Sequence, residues 1–411
     1  VAIVDSLSSN SVYKPVLSNS NAKIMNWTIS TLQFYNLYLS SLAARYSLFV
    51  PTDEYFTKYI DPVAFSKDIQ AVLKYWYNSK TAIVNATIYK YDKQTGIVGD
   101  SIGLITSSSF ITNRLLDLLN SHIVLGDIKS GKSFYQTRGN NFIKVSGSDI
   151  NMTIQGGGDI QMNTNAKLTN IFTQANGNTY FIDKPIQAPL SSVYKVLSTT
   201  PEFSEFFSLL AGFPAGSSSR IFVNDANNYG MDFNIKFFYT YNYTVYVPTN
   251  SAIVSAIQNG IIIPWSTING MTDATAKAAA ISKLERFLRY HFQDKSVFVD
   301  NQLVNKVYQS STIKYDDVPT GFNTSKNKFY KIRVNGNGND LSLTTETGKT
   351  AHVVTGNELY NIMTRDFIFN AKPASFKNID GTGTGTLFSS SQIVTSSTAV
   401  IHQIDNILSF E

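Results

Sequence analysis

The sequence predicts an α+β protein built as two related halves, and three observations carry the prediction. YSLFVPTDEYF (Tyr46–Phe56) and YTVYVPTNSAI (Tyr243–Ile253) are two versions of one phrase. Further on, each half runs an amphipathic segment into a histidine and then an apolar strand: TNRLLDLLNSHIVLGD (Thr112–Asp127) and ISKLERFLRYHFQDKSVFVD (Ile281–Asp300). Each half then closes on an apolar strand ending in Ile-Asp, NTYFIDKPI with Asp183 and AVIHQIDNIL with Asp405. The shared order places the halves at roughly 1–185 and 190–411, within the two or three domains that 411 residues allow.

Taken in order, the lead-in NAKIMNWTISTLQFYNLYLSSLAA reads as helix. The phrase after it alternates Tyr with Leu or Val, the pattern of a half-buried strand. Pro51 and Pro248 stop that strand, because proline has no N–H for the ladder. Thr52 and Thr249 then stand where a helix N-cap belongs, followed by Asp53-Glu54 or Asn250-Ser251 in the first turn. TAIVNATIYKYDKQTGIVGDSIGLI reads as a β-hairpin inserted near 81–105. DKPIQAPL, with two prolines and no periodicity, reads as a linker. In TTPEFSEFFSLLAGFP, Thr200 can cap and Pro201 fits the first helical position. Phe203, Phe206, Phe207 and Leu210 form one face, and Gly212 and Pro214 end the helix. The second half carries a different insertion, near 310–386, with the turn NGNGND, a helix-like GNELYNIMTRDF and the loop DGTGTGT.

Composition narrows the function. Apolar residues make up 43% of the chain, enough for real cores, while charged residues are only 15% and aromatics are plentiful, with 23 Tyr and 27 Phe. That balance suits a β-rich exported protein. The net charge of +5 is dispersed, with no Lys/Arg cluster to follow a phosphate backbone, so no nucleic acid is expected as a partner. The absence of cysteine removes disulfides, thiol catalysis and Cys-ligated zinc. The opening VAIVDSLSSN has no basic or apolar leader and reads as a mature or trimmed start, and no apolar run is long enough to span a bilayer.

Catalytic chemistry finds no anchor. His122 and His291 fall at equivalent helix ends, where an imidazole satisfies the last free carbonyls; His352 and His402 fall in strands. None has the spacing of a zinc motif, and no Gly-x-Ser-x-Gly elbow is present. Gly381–Thr386 lacks the P-loop lysine, NGNGND and NDANNYGMD miss the EF-hand register, and the adjacent Asp316-Asp317 do not by themselves make a glycosidase pair. No catalytic residue, metal or cofactor is therefore expected. Among the aromatics, Tyr89 and Tyr91 stand out. They lie two apart on the inserted hairpin, where they are expected to form an exposed platform for a ligand, with Lys90 opposite.

Together the blocks resemble a tandem pair of fasciclin-like (FAS1) domains: lead-in helix, first block, second block with Tyr-His, closing strand. The resemblance implies two domains, each a β-sandwich-like wedge with helices packed along one side. Pro51, Thr52, His122, Pro248, Thr249, Tyr290 and His291 carry its motifs as mainly structural residues; the first half departs from it with Ser121 before His122. YNIMTRDFIFN and the hairpin are similar to fasciclin-type surface lipoproteins of gut-type Gram-negative bacteria. The implied function is a non-enzymatic adhesion or ligand-binding module, exported to a bacterial surface or outer membrane, with any lipid anchor on a removed N-terminal segment. Its partner is then a surface protein or glycan. The alternative is an accessory lipoprotein of an outer-membrane glycan or peptide uptake complex.

Overall fold

A computed structural model describes residues 10–32, 34–61, 71–92, 95–223, 229–230, 233–238, 242–314, 328–369 and 392–411. Asp316-Asp317, Gly381–Thr386 and most of NDANNYGMD lie outside the described residues. The chain divides into two compact units. The first is Val1–Leu190 with Ala226–Met231 and Phe367–Thr395; the second is Ser191–Asp225, Asp232–Asp366 and Ser396–Glu411.

In the first unit, helices α1 (Lys14–Ser18), α2 (Lys23–Thr31) and α3 (Tyr35–Ser40) precede β1 (Tyr46–Pro51). A three-stranded sheet follows, β2 (Ala71–Asn78), β3 (Ile83–Tyr91) and β4 (Val98–Ile105), then α4 (Ser108–Ser121) and β5 (Ile123–Leu125). The unit closes with β6 (Phe134–Gln136), β7 (Phe142–Ser146), β8 (Thr153–Gly156), the short α5 (Gly157–Gln161), β9 (Ala166–Gln174) and β10 (Gly177–Ile182). Seven strands form one sheet in the order β5-β1-β10-β9-β8-β7-β6. An antiparallel bridge from Val124 in β5 to Thr137, just past β6, joins the two ends of that order into a ring.

The second unit holds α6 (Val193–Thr199), α7 (Ser204–Ala211), β11 (Asn242–Pro248), α8 (Asn250–Gln258), α9 (Trp265–Gly270), α10 (Ala274–Tyr290) and β12 (Phe292–Asp294). After them come β13 (Leu303–Ile313), β14 (Phe329–Asn337), β15 (Leu341–Thr345), β16 (Thr350–His352), β17 (Ile362–Phe369) and β18 (Ile393–Ile404), of which 367–369 and 393–395 group with the first unit. Its sheet contains the run β17-β18-β11-β12-β13-β14-β15-β16, and a bridge from Val353 to Ile404 closes a ring here too.

Both rings are built on one hydrogen-bond frame. β1 lies parallel to β10 with Pro51 opposite Ile182, and β11 lies parallel to β18 with Pro248 opposite Ile404. Asp183 and Asp405 are therefore the next residues on the partner strands. Each carboxylate accepts from a backbone N–H at 2.8 Å, that of Lys167 or His352. The central strands bury both faces. Tyr46, Leu48 and Val50 pack on the helices and Phe49 faces the ring interior; Tyr243, Val245 and Val247 pack on helices and Tyr246 faces inward. The alternation of Tyr with aliphatics thus marks two apolar cores, where the pattern alone suggested one buried and one solvated face.

Three expectations need correction. Thr52 caps nothing: a single 3-10 turn, Asp53–Tyr55, follows it, and the Thr52 hydroxyl turns to Glu54 at 3.3 Å. The inserted hairpin forms as β3 and β4, and β2 pairs along β3 so that Tyr75, Val84, Ala86 and Ile88 join the core under α2 and α4. GNELYNIMTRDF is not helical. Glu358 and Asn361 sit at φ of 60° and 55°, which breaks a helix, and the chain continues as β17. Within 310–386, β14, β15 and β16 are ring strands, leaving the extra length of that half after β16.

Candidate functional site

The residues singled out in the sequence serve the frame. His122 ends α4 with Nδ1 at 2.7 Å from Leu118 O, and its Nε2 accepts from Ile186 N at 2.9 Å. His291 ends α10 in the same way, with Nδ1 at 3.0 Å from Phe287 O and Nε2 accepting from Leu408 N at 3.1 Å. Ile186 and Leu408 are each the third residue after the closing aspartate, so each imidazole ties a helix end to the strand exit. His402 bridges Val297 O at 2.8 Å and Asn361 N at 3.2 Å. Accepting an N–H leaves an imidazole no room for a second proton, and burial pushes all three pKa values down to about 4. They are neutral spacers, while His352 stays at the surface 3.5 Å from Asp340.

Thr249 does cap α8, accepting from Ala252 N at 3.3 Å. The residue after each threonine does more: Asp53 accepts from Lys23 N and Ile24 N at 3.1 and 2.9 Å, capping α2 from a distance, and Asn250 accepts from Glu205 N at 3.1 Å in α7. Tyr290 donates its hydroxyl to Lys331 O at 2.8 Å inside the second ring, whereas Ser121, its counterpart, donates to Asp117 O at 3.2 Å. Tyr89 and Tyr91 do share a strand face, but that face turns inward. Tyr91 is only 6% exposed and packs with Ile60, Val72 and Leu190, and Tyr89 leans on the same cluster. The expected exposed platform is absent.

The same inward turn makes Tyr91 part of something else. A cavity of about 790 Å³ opens in the first unit. Tyr55, Thr57, Lys58 and Ile60 line it from the stretch after β1, Tyr91, Thr95 and Gly96 from the β3–β4 hairpin, Gln161–Thr164 from the end of α5, and Asp183, Lys184, Pro185 and Gln187 from the exit of β10. Its floor is fixed. Asp159, fully buried, accepts from Gly156 N at 2.9 Å and Gln187 N at 2.8 Å and pairs with Lys184. The Gln187 amide exchanges two 3.1 Å bonds with the backbone of Ile60, and His122 holds Ile186 from below. Gly156 and Gly158 must lack side chains here, since a Cβ would lie 2.1 Å from Gln187 O or 2.5 Å from Ala188 O.

The electrostatics follow from burial. Desolvation raises the Asp159 pKa against the pull of Lys184. Lys58 donates to Gly96 O at 3.0 Å and lies 4.7 Å from the centre of the Tyr91 ring. Burial lowers its pKa, and the positive charge of Lys184 lowers it further. Sequence reasoning found Tyr91 but missed Lys58, Asp159 and Lys184. The run Gly156–Asp159 was the legible signal, because consecutive glycines before an acidic residue mark a close backbone approach.

Among the described residues, no group of three or more His, Asp or Glu side chains is placed to hold a metal, and no helix is long and apolar enough to cross a membrane. No protein family model matches the chain, nor does any curated protein. Among solved structures it is similar to the FAS1 domain pair from the insect cell adhesion molecule fasciclin I. The identity is 13%, the match covers 97% of this chain and 95% of that one, and the TM-score is 0.27.

Proposed function

We propose that the chain is a non-enzymatic binding module of a cell surface, made of two fasciclin-like domains at roughly 1–185 and 190–411, each a sandwich-like wedge flanked by helices. The reading is carried by one observation: the first unit adds a cavity of about 790 Å³ to a frame whose helix-end histidines are spent on closing the fold. That volume lies in the range of small-molecule and saccharide pockets. The second unit repeats the frame but has α8 and α9 where the first has β2, β3 and β4, so the part that differs supplies one wall of the cavity, Tyr91, Thr95 and Gly96, against walls from the frame. Binding and catalytic groups tend to sit on such variable segments over a fixed scaffold.

A glycan and peptide array against the intact chain and a Thr57→Trp variant tests this. Thr57 is exposed at the cavity wall, so the indole enters the cavity without entering a core. Array hits that vanish in the variant while its melting temperature holds support the cavity as the site. Hits that persist in the variant place binding elsewhere and refute the reading.

A further inference from the structure

Resting on that binding reading, we infer that the cavity takes an acidic saccharide, its carboxylate met by Lys58 and its hydroxyls by the surrounding neutral side chains. Lys58 is a half-buried cation with no carboxylate partner among the described residues. Its ammonium has three donors; one goes to Gly96 O, and the Tyr91 ring faces the charge without accepting the others. An ammonium taken out of water without a counter-ion is unfavourable, and a bound anion relieves it.

Neither Asp159 nor Asp183 pairs with Lys58. Asp159 accepts from Gly156 N, Gln187 N and Thr164 Oγ1 and carries Lys184, so that pair is closed on itself. Asp183 accepts from Lys167 N at 2.8 Å. Around Lys58 the wall presents a phenol, Tyr55, the exposed hydroxyl of Thr57 and the exposed amide of Asn163. A charged centre ringed by aromatic, hydroxyl and amide groups fits a carboxylate on a hydroxylated ring better than an apolar acid or a bare inorganic anion.

The test is calorimetric titration of the intact chain with trisaccharides bearing galacturonate, glucuronate or sialate. Each is paired with its carboxyl-reduced neutral form, and inorganic phosphate serves as the plain anion. The proposal expects at least one acidic trisaccharide to bind about tenfold or more tighter than its reduced form, with affinity falling as salt rises. Lys58→Ala should lose that factor, and Lys58→Arg should keep most of it. Thr57→Trp should abolish binding altogether. Equal binding of acidic and neutral forms, both lost in Thr57→Trp, would overturn the anion assignment while leaving the cavity as a binding site. Phosphate matching the best trisaccharide would overturn the saccharide assignment. Failure of every acidic trisaccharide overturns the inference whole, and the array with Thr57→Trp then judges the binding reading separately.

Discussion

Lowering the pH should unfold this protein through its buried imidazoles, and His291 allows the effect to be isolated. In the fold its pKa is lowered by burial from 6.5 to about 4, because Nε2 must stay bare to accept from Leu408 N. Above pH 6.5 both folded and unfolded states hold a neutral ring, so nothing changes. Between 6.5 and about 4 the unfolded state binds a proton that the folded state refuses, so stability falls as pH falls through that window and levels below it. A shift of that size corresponds to about 3 kcal/mol for the one imidazole. His122 and His402, with the same lowered values, add to the wild-type slope. Asp53 and Asp159 are raised by burial and work in the opposite sense, protonating first in the fold. The assay is urea unfolding at pH 7.5, 6.5, 5.5 and 4.5 for wild type and His291→Gln. The variant is expected to be less stable at pH 7.5 but to lose about 3 kcal/mol less on acidification. Equal acid sensitivity in the two proteins would show that His291 titrates freely and that the tie to Leu408 is not what the geometry describes.

Other outcomes rest on the same contacts. Thr249→Ala should destabilise the second unit by about 1 kcal/mol through loss of the α8 cap, whereas Thr52→Ala should stay within about 0.5 kcal/mol and Asp53→Ala should cost about 1 kcal/mol or more, all read from urea midpoints. Arg114 and Asp61 form an ion pair at 2.6 Å with neither side chain exposed. Arg114→Met strands the Asp61 charge and should cost about 3–5 kcal/mol, most of it recovered in the double variant Arg114→Met/Asp61→Leu; a double variant no better than the single would contradict the pairing. Gly158→Ala forces a Cβ to 2.5 Å from Ala188 O, so it should loosen the cavity floor and raise amide exchange at Gln187 relative to a surface control.

The frame was legible in the sequence because its residues obey local rules that survive folding. A proline that ends a strand and a histidine that caps the last turn of its helix act on neighbours a few residues away, and the aspartate after each closing strand recurs at the same step of the order. Their repeated order recurs in the pairing of β1 with β10 and of β11 with β18. Thr52 misled because a cap needs a helix after it: the first unit has only a single 3-10 turn there, while a full helix starts after Thr249. Tyr89 and Tyr91 were correctly placed on one face, yet alternation cannot say which way a face points when strands bury both sides. The cavity was illegible for a different reason. Lys58, Tyr91, Asp159 and Lys184 come from four segments separated in the sequence and brought together only in the folded unit, and neither lysine stands in a motif.

The most direct measurement compares the affinity of the best array ligand for Lys58→Ala and for Thr249→Ala, each checked for folding by its melting temperature. If function lives in the cavity and the frame only supports it, Lys58→Ala binds about tenfold or more weakly at nearly wild-type stability. Thr249→Ala then binds as wild type despite its lost cap. Unchanged affinity in Lys58→Ala with binding lost in a folded Thr249→Ala would contradict that division and place the site on the repeated frame.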